Sequence, residues 1–147
     1  MGLREDFGPG PVALDTAPFI YFIEEHEGFL PVVAPVFEDV AAGRLEVVTS
    51  GLTLLEVLVV PYRAGHLALA ERYEALLTRS RGVRVIDVGR PELRIAAQLR
   101  AVHPSVRTPD ALQLAAALSA GCSAFLTNDR DLPALPGLAI LKLRDYL

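Results

Sequence analysis

Five short apolar runs, parted by stretches of helical periodicity, constrain the fold of this 147-residue chain more than any other feature. The runs are VALD at 12–15, LEVVT at 45–49, VRVIDV at 83–88, SAFLT at 123–127 and LAILKL at 138–143. They are rich in Val, Ile, Leu and Phe and lack strict polar alternation, the pattern of strands covered on both faces. Between them the period changes. Val33, Val36, Phe37 and Val40 fall on one helical face over 31–43, with Gly43 placed to end the helix. Leu69, Tyr73, Leu76 and Leu77 form a stripe over 66–80 that leaves Glu71, Arg72 and Glu74 to water. Ile95, Ala96, Leu99 and Val102 form another over 91–102, behind Pro91 in the first turn. Strand then helix, repeated, predicts an α/β fold: a mostly parallel central sheet of about five strands, built by right-handed crossovers, with helices on both faces. Such sheets hold ligands outside the carboxyl ends of their strands, so chemistry is expected at that edge.

The length suits one domain over 1–147, with 1–11 as a short N-terminal tail. A hydrophobic fraction of 52% and a mean hydropathy of +0.36 are high, yet no uninterrupted apolar run reaches the roughly 18 residues of a membrane span. The excess is expected in the core or against another protein. The opening MGLREDFGPGPVALD sets charges and two Gly-Pro pairs where a signal peptide would be apolar, and Asp6 breaks the myristoylation pattern that Gly2 would begin. A single cysteine, Cys122, reads as a small buried hydrophobe. The expectation is a cytoplasmic protein with no membrane association. A net charge of -4 argues against a broad basic grip on nucleic acid, though not against a small local footprint. Every basic residue except Lys142 is arginine, which suits contacts to carboxylate or phosphate and equally reflects a GC-rich genome.

Four acids fall by local pattern on the strand-end and helix-start edge. Asp15 ends the first apolar run, Glu56 lies in TSGLTLLEVL after the second, Asp110 follows Pro109 in the helix starting at Thr108, and Asp129 ends SAFLTND. Each has a structural reading alone. Thr53 and Glu56 read as a capping box, Asp110 sits well with a helix dipole, and Asp15 and Asp129 suit N-caps or Asx turns. Together they call for more, because like charges gathered at one edge oppose folding unless a cation offsets them. Thr53 and Thr108 are expected to serve as neutral caps, so capping does not require the acids. A ligand set of carboxylates selects a hard cation, Mg²⁺ or Mn²⁺; His26, His66 and His103 lack the paired spacing of a zinc site. A water polarised by such an ion can attack a phosphodiester.

The order LDT, TSGLTLLEVL, TPDALQLAAAL and FLTNDRDL, over about residues 12 to 143, resembles the PIN domain. In size and layout the chain is similar to the VapC-type toxin ribonucleases of toxin-antitoxin pairs. The resemblance implies a Mg²⁺- or Mn²⁺-dependent endoribonuclease acting on single-stranded or structured RNA. It implies Asp15, Glu56, Asp110 and Asp129 as the pocket acids, with Asp15, Asp110 and Asp129 holding metal, Asp15 and Asp110 foremost. Thr127 and Asn128 fall where relatives place a small polar residue, and Asp131 either joins the pocket or caps a short helix over DLPAL. Arg107 and Arg130 are the nearest arginines, able to hold phosphate or to offset local acids. The resemblance also implies a homodimer and a cognate antitoxin packed beside the first helices. The segment FIYFIEEHEGFLPVV at 19–33 carries too many aromatics for one narrow helical face, so those outside the core would make a patch for a partner.

Other readings compete. A receiver-like phospho-acceptor would need a lysine at the acidic edge, whereas Lys142 lies inside the last apolar run; a phosphatase of the haloacid dehalogenase type would need Asp-x-Asp where this chain has Asp15-Thr16-Ala17. A PIN fold without catalysis, serving as an interaction module, stays open beside the nuclease.

Overall fold

The computed structural model describes residues 2–147. The chain runs α1 (Leu3–Asp6), β1 (Val12–Leu14), α2 (Thr16–Ile23), α3 (Leu30–Ala41), β2 (Val47–Ser50), α4 (Gly51–Arg63), α5 (Leu67–Thr78), β3 (Val83–Ile86), α6 (Arg90–Val102), α7 (Thr108–Ser119), β4 (Ala124–Thr127) and β5 (Ala139–Lys142), closing on a 3-10 turn, Leu143–Tyr146. All five expected strands form, with ends that shift by one or two residues; β2 runs one residue past its apolar run, to Ser50. They pair only in parallel, in the order β3-β2-β1-β4-β5. The chain leaves β1 toward β2 and β3, then crosses back to β4 and β5. The strand order therefore reverses beside β1, the place where such sheets open a crevice for ligands.

Helices cover both faces because successive strand residues point opposite ways. Val12 and Leu14 of β1, Val47 of β2 and Leu126 of β4 meet α2, α3, α4 and α5 in one core, with Phe19, Phe37, Tyr73 and Leu77. Ala13, Val48 and Phe125 point into a second core with Leu114 and Ala117 of α7. A third cluster, Ala96, Val106, Ala111 and Ala115, joins α6 to α7. The predicted stripe of α3 is buried throughout: Val33, Val36, Phe37 and Val40 are each at most 5% exposed.

Five local expectations differ. Val102 is 73% exposed although it falls on the expected stripe of α6, which is helical through that residue. The Thr53–Glu56 capping box does not form: α4 starts at Gly51, two residues earlier, with Ser50 as its cap accepting from the Leu52 amide. Thr108 is the first residue of α7 rather than its cap; Arg107 holds that position, with no side-chain capping bond. DLPAL is not helical, Pro133 and Pro136 leaving only a bridge between Leu135 and Leu138. Residues 3–11, expected as a tail, dock on the domain: Phe7 is 1% exposed and its carbonyl accepts from Ser123 Oγ at 2.5 Å. Lys142 closes β5 at the carboxyl edge, and its Nζ donates to the Arg130 carbonyl. Among the described residues no helix is long and apolar enough to cross a membrane.

Candidate functional site

Asp15 stands where β1 hands over to α2, on the seam between β1 and β4. Its amide donates to the Leu126 carbonyl at 3.0 Å. One carboxylate oxygen accepts from the Thr16 amide, capping α2, and the other accepts from Thr127 Oγ1, both at 2.8 Å. Thr127 is fully buried, and its hydroxyl also receives the Asp129 amide at 3.0 Å. One hydroxyl therefore fixes Asp15 and the turn that carries Asp129. Asp129 Oδ1 in turn accepts from the Asp131 amide at 2.9 Å, an Asx turn.

Glu56 projects from the second turn of α4, where Thr16 Oγ1 donates to it at 2.6 Å. Beneath it lies a buried polar network that sequence reasoning missed. Gln113 Nε2 donates to Thr53 Oγ1 at 2.8 Å and lies 3.3 Å from Thr16 Oγ1 and 3.4 Å from Glu56 Oε1; its Oε1 accepts from Ser50 Oγ at 2.8 Å. Thr49 and Thr53 share a hydrogen bond of 2.7 Å, and Thr49 also donates to the Leu14 carbonyl. Gln113 follows Asp110 by three residues, so both project from one face of α7. A lone glutamine inside TPDALQLAAAL was the available signal, since a buried amide needs partners.

The electrostatics show how close the acids come. Burial pushes the Asp15 carboxyl up, the Thr127 and Thr16 hydrogen bonds oppose this, and the charges of Glu56 and Asp129 push the same way as burial. Asp110 is also raised, by burial first, then by Asp129, Asp15 and Glu56, with Arg107 working against them. Asp15 and Asp110 therefore each lie within the field of Glu56 and Asp129. Among the described residues, however, no three His, Cys, Asp or Glu side chains converge tightly enough to grip an ion by themselves. Oxygen donors that repel one another fit a hard cation that binds through one or two carboxylates and keeps its remaining waters.

The other candidates scatter around this centre. Asn128 Nδ2 donates to the Tyr21 hydroxyl at 2.9 Å. Asp131 and Arg130 are exposed on the same turn, and Arg107 is exposed beside Asp110. A hollow of about 560 Å³ between α1, α3 and the last residues is lined by none of the four acids.

The sequence matches the PIN domain family over residues 12–138. The chain belongs to the PIN-domain family. No curated protein matches it convincingly in sequence. Among solved structures, this PIN domain is similar to VapBC2 from Rickettsia felis bound to a DNA fragment from its promoter, with a TM-score of 0.70, 15% identity, and coverage of 89% of this chain and 97% of that one. It is similar to Mycobacterium tuberculosis VapC20, a Sarcin-Ricin loop cleaving toxin, with a TM-score of 0.65, 20% identity, and coverage of 82% and 91%. DNA-bound VapBC from Salmonella typhimurium gives a TM-score of 0.62, 22% identity, and coverage of 92% and 99%. At such identities the shared property is the fold.

Proposed function

We propose that this PIN domain is a Mg²⁺- or Mn²⁺-dependent endoribonuclease of the VapC type, the toxin of a toxin-antitoxin pair, acting in the cytoplasm on RNA. The single observation that carries the reading is the gathering of Asp15, Glu56, Asp110 and Asp129 at the strand-order reversal, with Asp15 and Asp110 both raised by burial and by their neighbours' charge. Carboxyls raised by burial and by like charge at a ligand-binding edge are candidates for chemistry. The solved VapBC complexes and the RNA-cleaving VapC20 support the same reading through the fold. They also favour a cognate antitoxin; a homodimer is proposed with it.

Asp15 and Asp110 would hold the ion, with Asp129 as the third acid available to it or to its waters. When bound, the ion supplies an activated water and offsets negative charge on the phosphate. Thr127 holds Asp15 in one orientation by occupying one of its oxygens. Thr16 and Gln113 hold Glu56 over the same edge, where it can accept a proton from the attacking water. Hydrolysis forms a new bond from water oxygen to phosphorus, breaks the bond to the leaving ribose oxygen, and passes a proton to that oxygen. Arg107, exposed beside Asp110, stands ready to hold a phosphate oxygen of the strand.

The test is cleavage of single-stranded RNA with Mn²⁺ or Mg²⁺. Asp15→Asn and Asp110→Asn are expected to lose activity by roughly a hundredfold or more while keeping wild-type circular dichroism. Full cutting by either variant overturns the assignment. A wild-type chain without saturable Mn²⁺ binding by calorimetry points instead to an interaction module.

A further inference from the structure

Residues 19–33 carry more aromatic side chains than the core absorbs. Phe19 is fully buried, and Phe22 stacks on Phe37 with centroids 4.2 Å apart. Tyr21, His26 and Phe29 form a separate cluster. Tyr21 and Phe29 lie 11° from parallel with centroids 4.7 Å apart, and His26 packs against them at 4.6 and 5.3 Å. Tyr21 and Phe29 are half-buried; His26 is exposed.

The backbone builds this cluster deliberately. At the end of α2 the Glu25 amide donates to the Phe22 carbonyl and the His26 amide to the Tyr21 carbonyl, a Schellman arrangement that folds His26 back onto Tyr21. Glu25 occupies the left-handed position at φ 51°, where the ends of α3, α4 and α7 use Gly43, Gly65 and Gly121. A side chain there costs conformational energy that glycine avoids. His26 Nδ1 accepts from the amides of Gly28 and Phe29 at 3.1 and 3.2 Å, so the proton of the neutral ring resides on Nε2. Among the described residues no hydrogen bond reaches Nε2. The exposed ring is locked in orientation with one donor to spare.

The cluster adjoins the acidic pocket. Tyr21 accepts from Asn128, which lies between Thr127 and Asp129, and it stands six residues along α2 from Asp15, ~9 Å at the helical rise. A chain of net charge -4 has little long-range attraction for a polyanion, so a bound strand needs contacts that do not depend on charge. Stacking supplies them for any base.

We infer that Tyr21, His26 and Phe29 form a stacking platform for a nucleobase of the RNA strand, holding it so that the neighbouring phosphate lies over the acids. The inference rests on the ribonuclease reading and adds its positioning residues. The test uses a short single-stranded RNA carrying 2-aminopurine beside the cleaved bond, with matched strands abasic at that position. Binding to the wild-type protein is expected to quench the probe. His26→Ala is expected to raise KM about tenfold or more, the loss of roughly one stacked base, with kcat little changed. His26→Phe keeps an aromatic face and is expected to recover most of that loss. On the abasic strand the two variants and the wild type are expected to converge. His26→Ala and Phe29→Leu proteins that cut with wild-type KM overturn the platform alone. A wild-type protein that neither binds nor cuts RNA removes the ribonuclease reading and the platform with it. Loss of a co-expressed protein partner from His26→Ala, with KM for RNA unchanged, assigns the cluster to protein docking and also overturns the proposal.

Discussion

Gln113 does at the residue scale what no residue type announces by itself: it satisfies the hydroxyls of Ser50 and Thr53 and reaches Thr16 and Glu56 from the far side of the pocket. Replacing it with leucine keeps the volume and takes one partner from each of those hydroxyls in a buried site. Gln113→Leu is expected to cost about 1–3 kcal/mol, measured by urea unfolding, and to lower cleavage by releasing Glu56. Glu25 presents the opposite case. Glu25→Gly relieves a left-handed side chain at the end of α2 and is expected to leave stability equal to wild type or higher by up to about 1 kcal/mol, read from the same unfolding curve. A clear loss of stability there would show that the Glu25 side chain makes contacts outweighing the strain. The placement of Asp15, Glu56, Asp110 and Asp129 at the strand-end edge was legible in the sequence; the partners of Gln113, Thr16 and Thr49 were not, because a polar residue's partners come from other parts of the chain.

Among the elements, α7 carries most of the site. Its first turn presents Asp110, the next presents Gln113 on the same face, and the remainder, Leu114 to Ala117, is at most 1% exposed against β1, β2, β4 and α6. The apolar run and the two polar residues are thus one device: burial of the middle fixes where the polar face lies. Leu114→Ala is expected to cost about 2–5 kcal/mol in the same measurement, a core truncation with little room to collapse. Helix periodicity made α3, α5, α6 and α7 readable in advance, their starts to within one residue, but the start of α4 was not. Ser50, one residue after the expected end of its strand, took the capping role read into Thr53, which the sheet buried instead. Val102 fitted the stripe of α6 yet stands in water, since periodicity reports a face and not how far along it the neighbour extends.

For the whole molecule, raising Asp15 and Asp110 links stability to pH. The folded chain binds those protons more tightly than the unfolded chain does, so their contribution is fully present below the ordinary carboxylate range and is lost as pH rises through the folded values. In chelator, Asp110→Asn is therefore expected to melt higher than wild type at neutral pH and to converge with it in acid, while failing to cut RNA. Mn²⁺ is expected to raise the wild-type melting temperature at neutral pH and to lose that effect in acid; equal shifts at both pH values would count against a carboxylate site. By itself the sequence determined the α/β class, the five strands, and the edge at which the acids had to meet, because hydrophobic period and strand-to-helix order are local properties that tolerate only a few packings. Only the tertiary structure decided the strand order β3-β2-β1-β4-β5, the hydroxyl that orients Asp15, and the division of the aromatics between the core and a rim beside the pocket. Those depend on which distant residues come into contact, and contact distances are set by packing.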